Sequence, residues 1–238
     1  PTNLDKNYTS FITWPWCDFG AKSPRKHGLT GIEACELTTK HHMNSYFNGF
    51  SLGSNVKNNY GYVEDKQLSE VERRGGLSII NHPAIHASWE QKKSLQWYVD
   101  RFKNNPASYL VGMEITNKPN FEWSGFDRSL WDQLLAEFMP ARPIWGFGND
   151  DAHSHNNAQF TFNVFYFDIC SGANVRQAML DGQFTFCDSS RKIDYTKEKI
   201  EDGMFPYINS IKVDEKRQTI TIDAKDYDQL RWITAPKS

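Results

Sequence analysis

An α/β fold, with a parallel sheet or barrel at its centre, is the class this sequence predicts, and three observations predict it. Short apolar runs rich in β-branched or aromatic residues alternate with segments of helical spacing, the pattern of strands joined by crossover helices. Several runs end in Asn, Asp or His, and the carboxyl ends of buried strands are where an α/β enzyme presents its chemistry. Six of the seven histidines fall in pairs within or after such runs: His41 and His42, His82 and His86, His153 and His155.

Residues 1–30 are polar and aromatic, with Pro15 and Pro24, and read as loops. A short strand follows within Leu29 to Thr39, and another within Met43 to Leu52. Asp65 to Arg74 is helix-compatible, with Leu68 and Val71 as its apolar face, and Gly75-Gly76 breaks it. Leu77 to Ile80 is a β-branched strand that stops at Asn81-His82-Pro83, because Pro83 lacks an amide hydrogen and disfavours helix at His82. Leu95, Tyr98, Val99 and Phe102 have helical spacing. Tyr109 to Ile115 is the next strand, and Leu130, Trp131, Leu134, Leu135 and Phe138 mark an amphipathic helix over Asp127 to Phe138. Ile144 to Phe147 is a strand leading into Gly148-Asn149-Asp150-Asp151-Ala152-His153-Ser154-His155. Phe160 to Ile169 is β-like, Asn174 to Asp181 is a helix with Gly182 as its C-terminal cap, and Phe184 to Phe186 is strand-like. From about Pro206, Ile208 to Val213 and Thr219 to Ile222 form a β-hairpin. The expected division is therefore residues 1–203 as the barrel and 204–238 as a small β extension.

With 238 residues the chain is long enough to fold without disulfides or metal. Its net charge of −2 shows no bias toward polyanions, which argues against generic nucleic-acid binding. The four cysteines form no CxxC pair, and a reducing, cytoplasmic setting is the expectation. No apolar run approaches the length needed to span a bilayer.

Three strand ends supply the groups that carry chemistry: Glu36 and His42, His82, and Asp151 with His153. Carboxylate and imidazole are the donors that divalent metals of hard or borderline character prefer. The competing reading of residues 148–155 is a polar loop with a helix N-cap, since Asp and Ser are favoured there. In an extended chain His41 and His42 point opposite ways, so one of them is expected to face solvent. Asp150 and His155 are expected to stand behind the ligands or at the surface.

Gly-Asn-Asp-Asp-Ala-His-Ser at 148–154 resembles the G-S-D-A-H-S motif of the PHP (polymerase and histidinol phosphatase) superfamily. Ile80-Asn81-His82-Pro83 looks like its strand ending in His-Pro. Glu36 to Asn44 and Gly112 to Asn117 are similar to segments of its CehA/McbA-type metallohydrolase branch. The order and spacing agree from about residue 30 to 190. The resemblance implies a distorted (β/α)7 barrel with two or three zinc, manganese or iron ions, held by residues matching Glu36, His42, His82, Asp151 and His153. Asn44 and Glu114 would support those ligands from behind. The family's N-terminal H-x-H and D-H motifs have no counterpart here, so the expectation is a barrel lacking its first strands.

The resulting expectation is a metal-dependent hydrolase, most simply a phosphoesterase acting on a small molecule through metal-activated water. Asp151 carries catalysis with His82 and His153, either histidine serving as proton donor if it is not a ligand, and Arg191 holds a substrate anion. Amide or carbamate hydrolysis on the same site is the alternative, as is a non-catalytic binding domain that has lost part of its metal centre.

Overall fold

The computed structural model describes residues 28–38, 40–50, 64–88, 92–117, 121–154, 160–188 and 206–233, with residues 156 and 158 and the backbone of residues 2–3. Two compact units divide the chain, Pro1–Lys192 and Ile193–Ser238.

The first unit is built on a six-stranded sheet. Its strands are β1 (Thr2–Asn3), β2 (Ala34–Leu37), β3 (Met43–Tyr46), β4 (Leu77–Ile80), β5 (Leu110–Asn117) and β6 (Trp145–Asn149), hydrogen-bonded in sequence order. The helices are α1 (Glu64–Arg73), α2 (Pro83–Ser88), α3 (Leu95–Asn104), α4 (Phe121–Phe138) and α5 (Gly172–Asp181). In a separate two-stranded sheet β7 (Thr161–Phe165) pairs antiparallel with β8 (Phe184–Asp188), with α5 between them in the chain.

The expected (β/α)7 barrel is not what forms. The fold is mixed α/β: β3 runs antiparallel to both β2 and β4, whereas β4, β5 and β6 are parallel. Among the described residues the sheet does not close on itself. The reason is local. Only Thr38 to His42 separate β2 from β3, and a parallel crossover needs a dozen residues or more, so this connection can only be a hairpin.

The core lies on both faces of the sheet. Ile80, Leu110, Met113 and Ile115 pack with Tyr98 and Phe102 of α3 and Leu130 and Leu134 of α4. Leu77, Ile79, Val111 and Phe147 pack on the other face with Val175 and Met179 of α5. Paired on both sides and covered on both faces, β5 is buried along all eight residues, as a central parallel strand should be. Glu114 in its middle is the exception that calls for an explanation.

Helix boundaries follow their caps. The Ser94 side chain accepts from the Trp97 N–H to start α3, and Ser171 does the same for Asn174 at α5. Gly182 ends α5 in the left-handed region at φ 68°. α2 was not legible as a helix. Pro83, read from sequence as a strand stop, also opens this helix, where its missing N–H costs nothing.

The β7–β8 sheet docks on β6 through a side chain. Asn163 accepts from the Gly148 N–H at 3.0 Å and donates to the Gly148 carbonyl at 2.8 Å, copying a backbone ladder pair. A Cβ at Gly148 would stand 2.5 Å from Thr161 Cγ2, so this approach requires glycine. In the second unit, β9 (Tyr207–Asp214) and β10 (Thr219–Lys225) form the expected hairpin, with Val213 opposite Ile220 and Ile211 opposite Ile222. Cys35 is buried, Cys187 is half-buried and Cys170 is exposed. Among the described residues no helix is long and apolar enough to cross a membrane.

Two outcomes follow from this packing. Asn163→Leu strands both backbone groups of Gly148 and lowers stability by about 1–3 kcal/mol, read by urea unfolding. Burial lifts the Asp127 carboxyl from its ordinary 3.8 to about 8, against the N–H it accepts from Ala84 and with the Glu114 charge adding to the rise. The folded state therefore keeps a proton that the unfolded chain loses. The stability that Asp127 contributes is full below about pH 4 and is lost as pH rises toward 8. In Asp127→Asn that slope flattens, as measured by denaturant unfolding across the same range.

Candidate metal centre

Four chain segments converge at one end of the sheet. Glu36 comes from β2, His42 from the turn into β3, His82 from the exit of β4 and Glu114 from β5. The antiparallel arm makes this convergence possible. In register, Glu36 lies opposite Asn44 and Met43 opposite Ile80, so the β2–β3 turn stands beside the end of β4.

Glu36, His82 and Glu114 are 5%, 2% and 0% exposed. A buried charge is tolerated only when paired and hydrogen-bonded, and each of these is. The Glu114 carboxylate accepts the His82 backbone N–H at 3.0 Å, lies 3.2 Å from His82 Nδ1, and accepts from Asn117 Nδ2 at 2.7 Å. Glu36 Oε1 accepts from Asn81 Nδ2 at 3.0 Å and lies 3.3 Å from His42 Nδ1 and 3.7 Å from His82 Nε2. Asn81 also donates to Asn44 Oδ1, and Asn44 in turn donates to the Tyr46 hydroxyl.

The electrostatics follow from these contacts. Burial works to raise the Glu36 carboxyl, but the His42 hydrogen bond, the charges of His82 and His42 and the Asn81 amide bring it down to about 2. Burial works to lower His82, yet the Glu114 bond and charge, with Glu36 and Asp151, raise it above its ordinary value. His82 also has a positive φ of 24°, as does Asp151 at 45°. Non-glycine residues persist in that region only where the surroundings hold them, and such positions cluster at functional sites.

Glu36 Oε1, His42 Nδ1 and His82 Nε2 form a triangle with edges of 3.1, 3.3 and 3.7 Å. Donors about 2.1 Å from a tetrahedral ion stand about 3.4 Å apart, so the triangle has the size of one tetrahedral face. Among the described residues these three are the group of donors close enough to hold one ion. With Nδ1–H directed to Glu114, His82 turns Nε2 toward the triangle, the carboxylate–histidine arrangement that orients metal ligands.

The other expected site residues have separate places. Asp151 and His153 line the same cavity of about 370 Å³ but stand outside the triangle. His153 Nδ1 lies 2.9 Å from the Asp151 carbonyl, and its side chain is 58% exposed. Asp150 accepts from the Phe160 and Thr161 N–H groups, tying the loop to the start of β7. His155 and Arg191, and the side chain of His86, lie outside the described residues.

His41 is a correction to the sequence reading, which put one of the His41–His42 pair in solvent. It is fully buried, stacked on Trp97 and hydrogen-bonded to the Tyr98 hydroxyl at 2.8 Å. α3 covers that face of the sheet, so both histidines point into protein. Asn81 and Asn117 were missed as parts of the site. Asn81 had a signal, being the polar residue next to His82 at a strand end.

Comparison of the chain with protein-family models, with curated proteins and with solved structures finds no match.

Proposed function

We propose that this protein is a divalent-metal-dependent hydrolase, a phosphoesterase, whose ion is held by Glu36, His42 and His82. The observation that carries the reading is the donor triangle, sized for one tetrahedral face and backed by the buried Glu114. The motif resemblances to PHP-like metallohydrolases, which run in order along the chain, support it as well.

The donor set of one carboxylate and two imidazoles suits zinc, manganese or iron. Three protein ligands leave a coordination position for a small molecule, as catalytic sites require. A bound divalent ion supplies Lewis acidity, lowering the pKa of a water and polarising a phosphoryl oxygen. The rest of the chemistry belongs to the chain. Glu114 and Asn117 fix the His82 ring, and Asn81 holds Glu36 in place. His153, exposed beside Asp151 at the cavity, is placed to hand a proton to a leaving oxygen. Asp151, held in its left-handed backbone conformation, orients that histidine through its carbonyl.

Two measurements test this. Zn2+ or Mn2+ raises the melting temperature of the wild-type chain, and His82→Ala removes the shift together with hydrolysis of aryl phosphoesters. An unchanged melting temperature in excess metal contradicts the reading. Glu114→Gln keeps the shape of the carboxylate but loses its charge, and lowers metal affinity about 10–100-fold by calorimetric titration.

A further inference from the structure

The cavity beside the donor triangle holds about 370 Å³, within the range of roughly 300–1,000 Å³ usual for small-molecule sites, so a bare phosphate fills only part of it. Part of its wall consists of neutral polar groups whose hydrogen bonds are unmet. Asn81 is 3% exposed, and its Nδ2 gives one hydrogen to Glu36 Oε1 and the other to Asn44 Oδ1. That leaves Oδ1 as the spare end, with no partner among the described residues. Thr161, 5% exposed at the start of β7, lines the same cavity, and its Oγ1 also lacks a partner among them. Asn149 Nδ2, at the end of β6, is a third buried atom of this kind on the lining. These groups stand close to the ion site. Asn81 bonds one corner of the triangle, and Asn149 lies opposite Asn117, which bonds Glu114.

The chemistry of the three atoms says what fits them. A carboxamide oxygen only accepts, a carboxamide nitrogen only donates, and a threonine hydroxyl does either. Their occupant must therefore offer donors and acceptors together. An alkyl chain offers neither and an ammonium group only donates, whereas a hydroxyl does both. A hydroxyl can also take over the bonds of a water it displaces, while an alkyl group in its place strands buried polar atoms. We infer, resting on the metal-dependent hydrolase reading, that the substrate is a phosphoester of a polyol. Hydroxyls of its alcohol portion bond Asn81 Oδ1, Thr161 Oγ1 and Asn149 Nδ2 while the phosphoryl group meets the ion. In the reaction, water adds across the ester. The phosphorus–oxygen bond to the polyol breaks, the water oxygen forms the new one, and a proton goes to the leaving oxygen, giving the free polyol and a phosphate.

2,3-Dihydroxypropylphosphonate and propylphosphonate carry the same headgroup, have no ester bond to cleave, and differ only in hydroxyls. In calorimetric titration of the full chain loaded with Zn2+, the diol binds at least about tenfold more tightly. Thr161→Val removes one partner at nearly constant shape and cuts that advantage about three- to tenfold. Asn149→Ala repeats the test from another strand, and Zn2+ titration of each variant shows whether its metal site is intact. Wild-type protein hydrolyses glycerol 1-phosphate, and kcat/KM falls in each variant by the factor lost in diol binding. Equal binding of the two phosphonates, or a diol advantage that survives in both variants, overturns the hydroxyl selection and leaves the hydrolase reading standing. Protein shown to hold zinc that hydrolyses neither glycerol 1-phosphate nor aryl phosphoesters overturns both.

Discussion

One imidazole held between two buried carboxylates organises this fold. His82 sits at the end of β4 with Glu114 on one side and Glu36 on the other, 3.2 and 3.7 Å away. Neither carboxylate could remain in the interior alone, since an unpaired buried charge is among the costliest features a core can carry. Glu114 is the one charged residue of a wholly buried strand and sits in its middle. Its bonds to the His82 backbone and ring explain why that position is not another aliphatic residue. The positive φ of His82 has the same cause, because the turn must deliver both nitrogens to one carboxylate.

The mixed sheet brings the second carboxylate into range. Antiparallel pairing of β3 with β2 and β4 folds the Thr38–His42 turn over the end of β4, so Glu36 and His42 arrive from the same hairpin. The parallel strands β4 and β6 supply His82 and the Asp151 loop from their carboxyl ends, where α/β folds hold their sites, and β5 supplies Glu114 from its middle. The site thus needs a hairpin and a parallel sheet side by side.

Much of the site was legible in the sequence, because ligand-type residues at strand ends have few other reasons to be there. Glu36, His42 and His82 were singled out on that ground and stand together. The strand direction was not legible. An apolar run has the same composition whichever way it points, and only the short span between Leu37 and Met43 told against a parallel crossover. His41 was misread because alternation says only that neighbours diverge, and α3 lies over the far face. Asp151 and His153 read as ligands from their motif, yet their loop places them along the cavity wall, beside the triangle rather than in it.

X-ray absorption spectroscopy of the zinc-loaded protein tests the central claim most directly. The account predicts two imidazole nitrogens and carboxylate or water oxygen at about 2.0–2.1 Å, with one imidazole lost in His82→Ala. A sulfur-containing first shell, or a spectrum unchanged by that substitution, would contradict it.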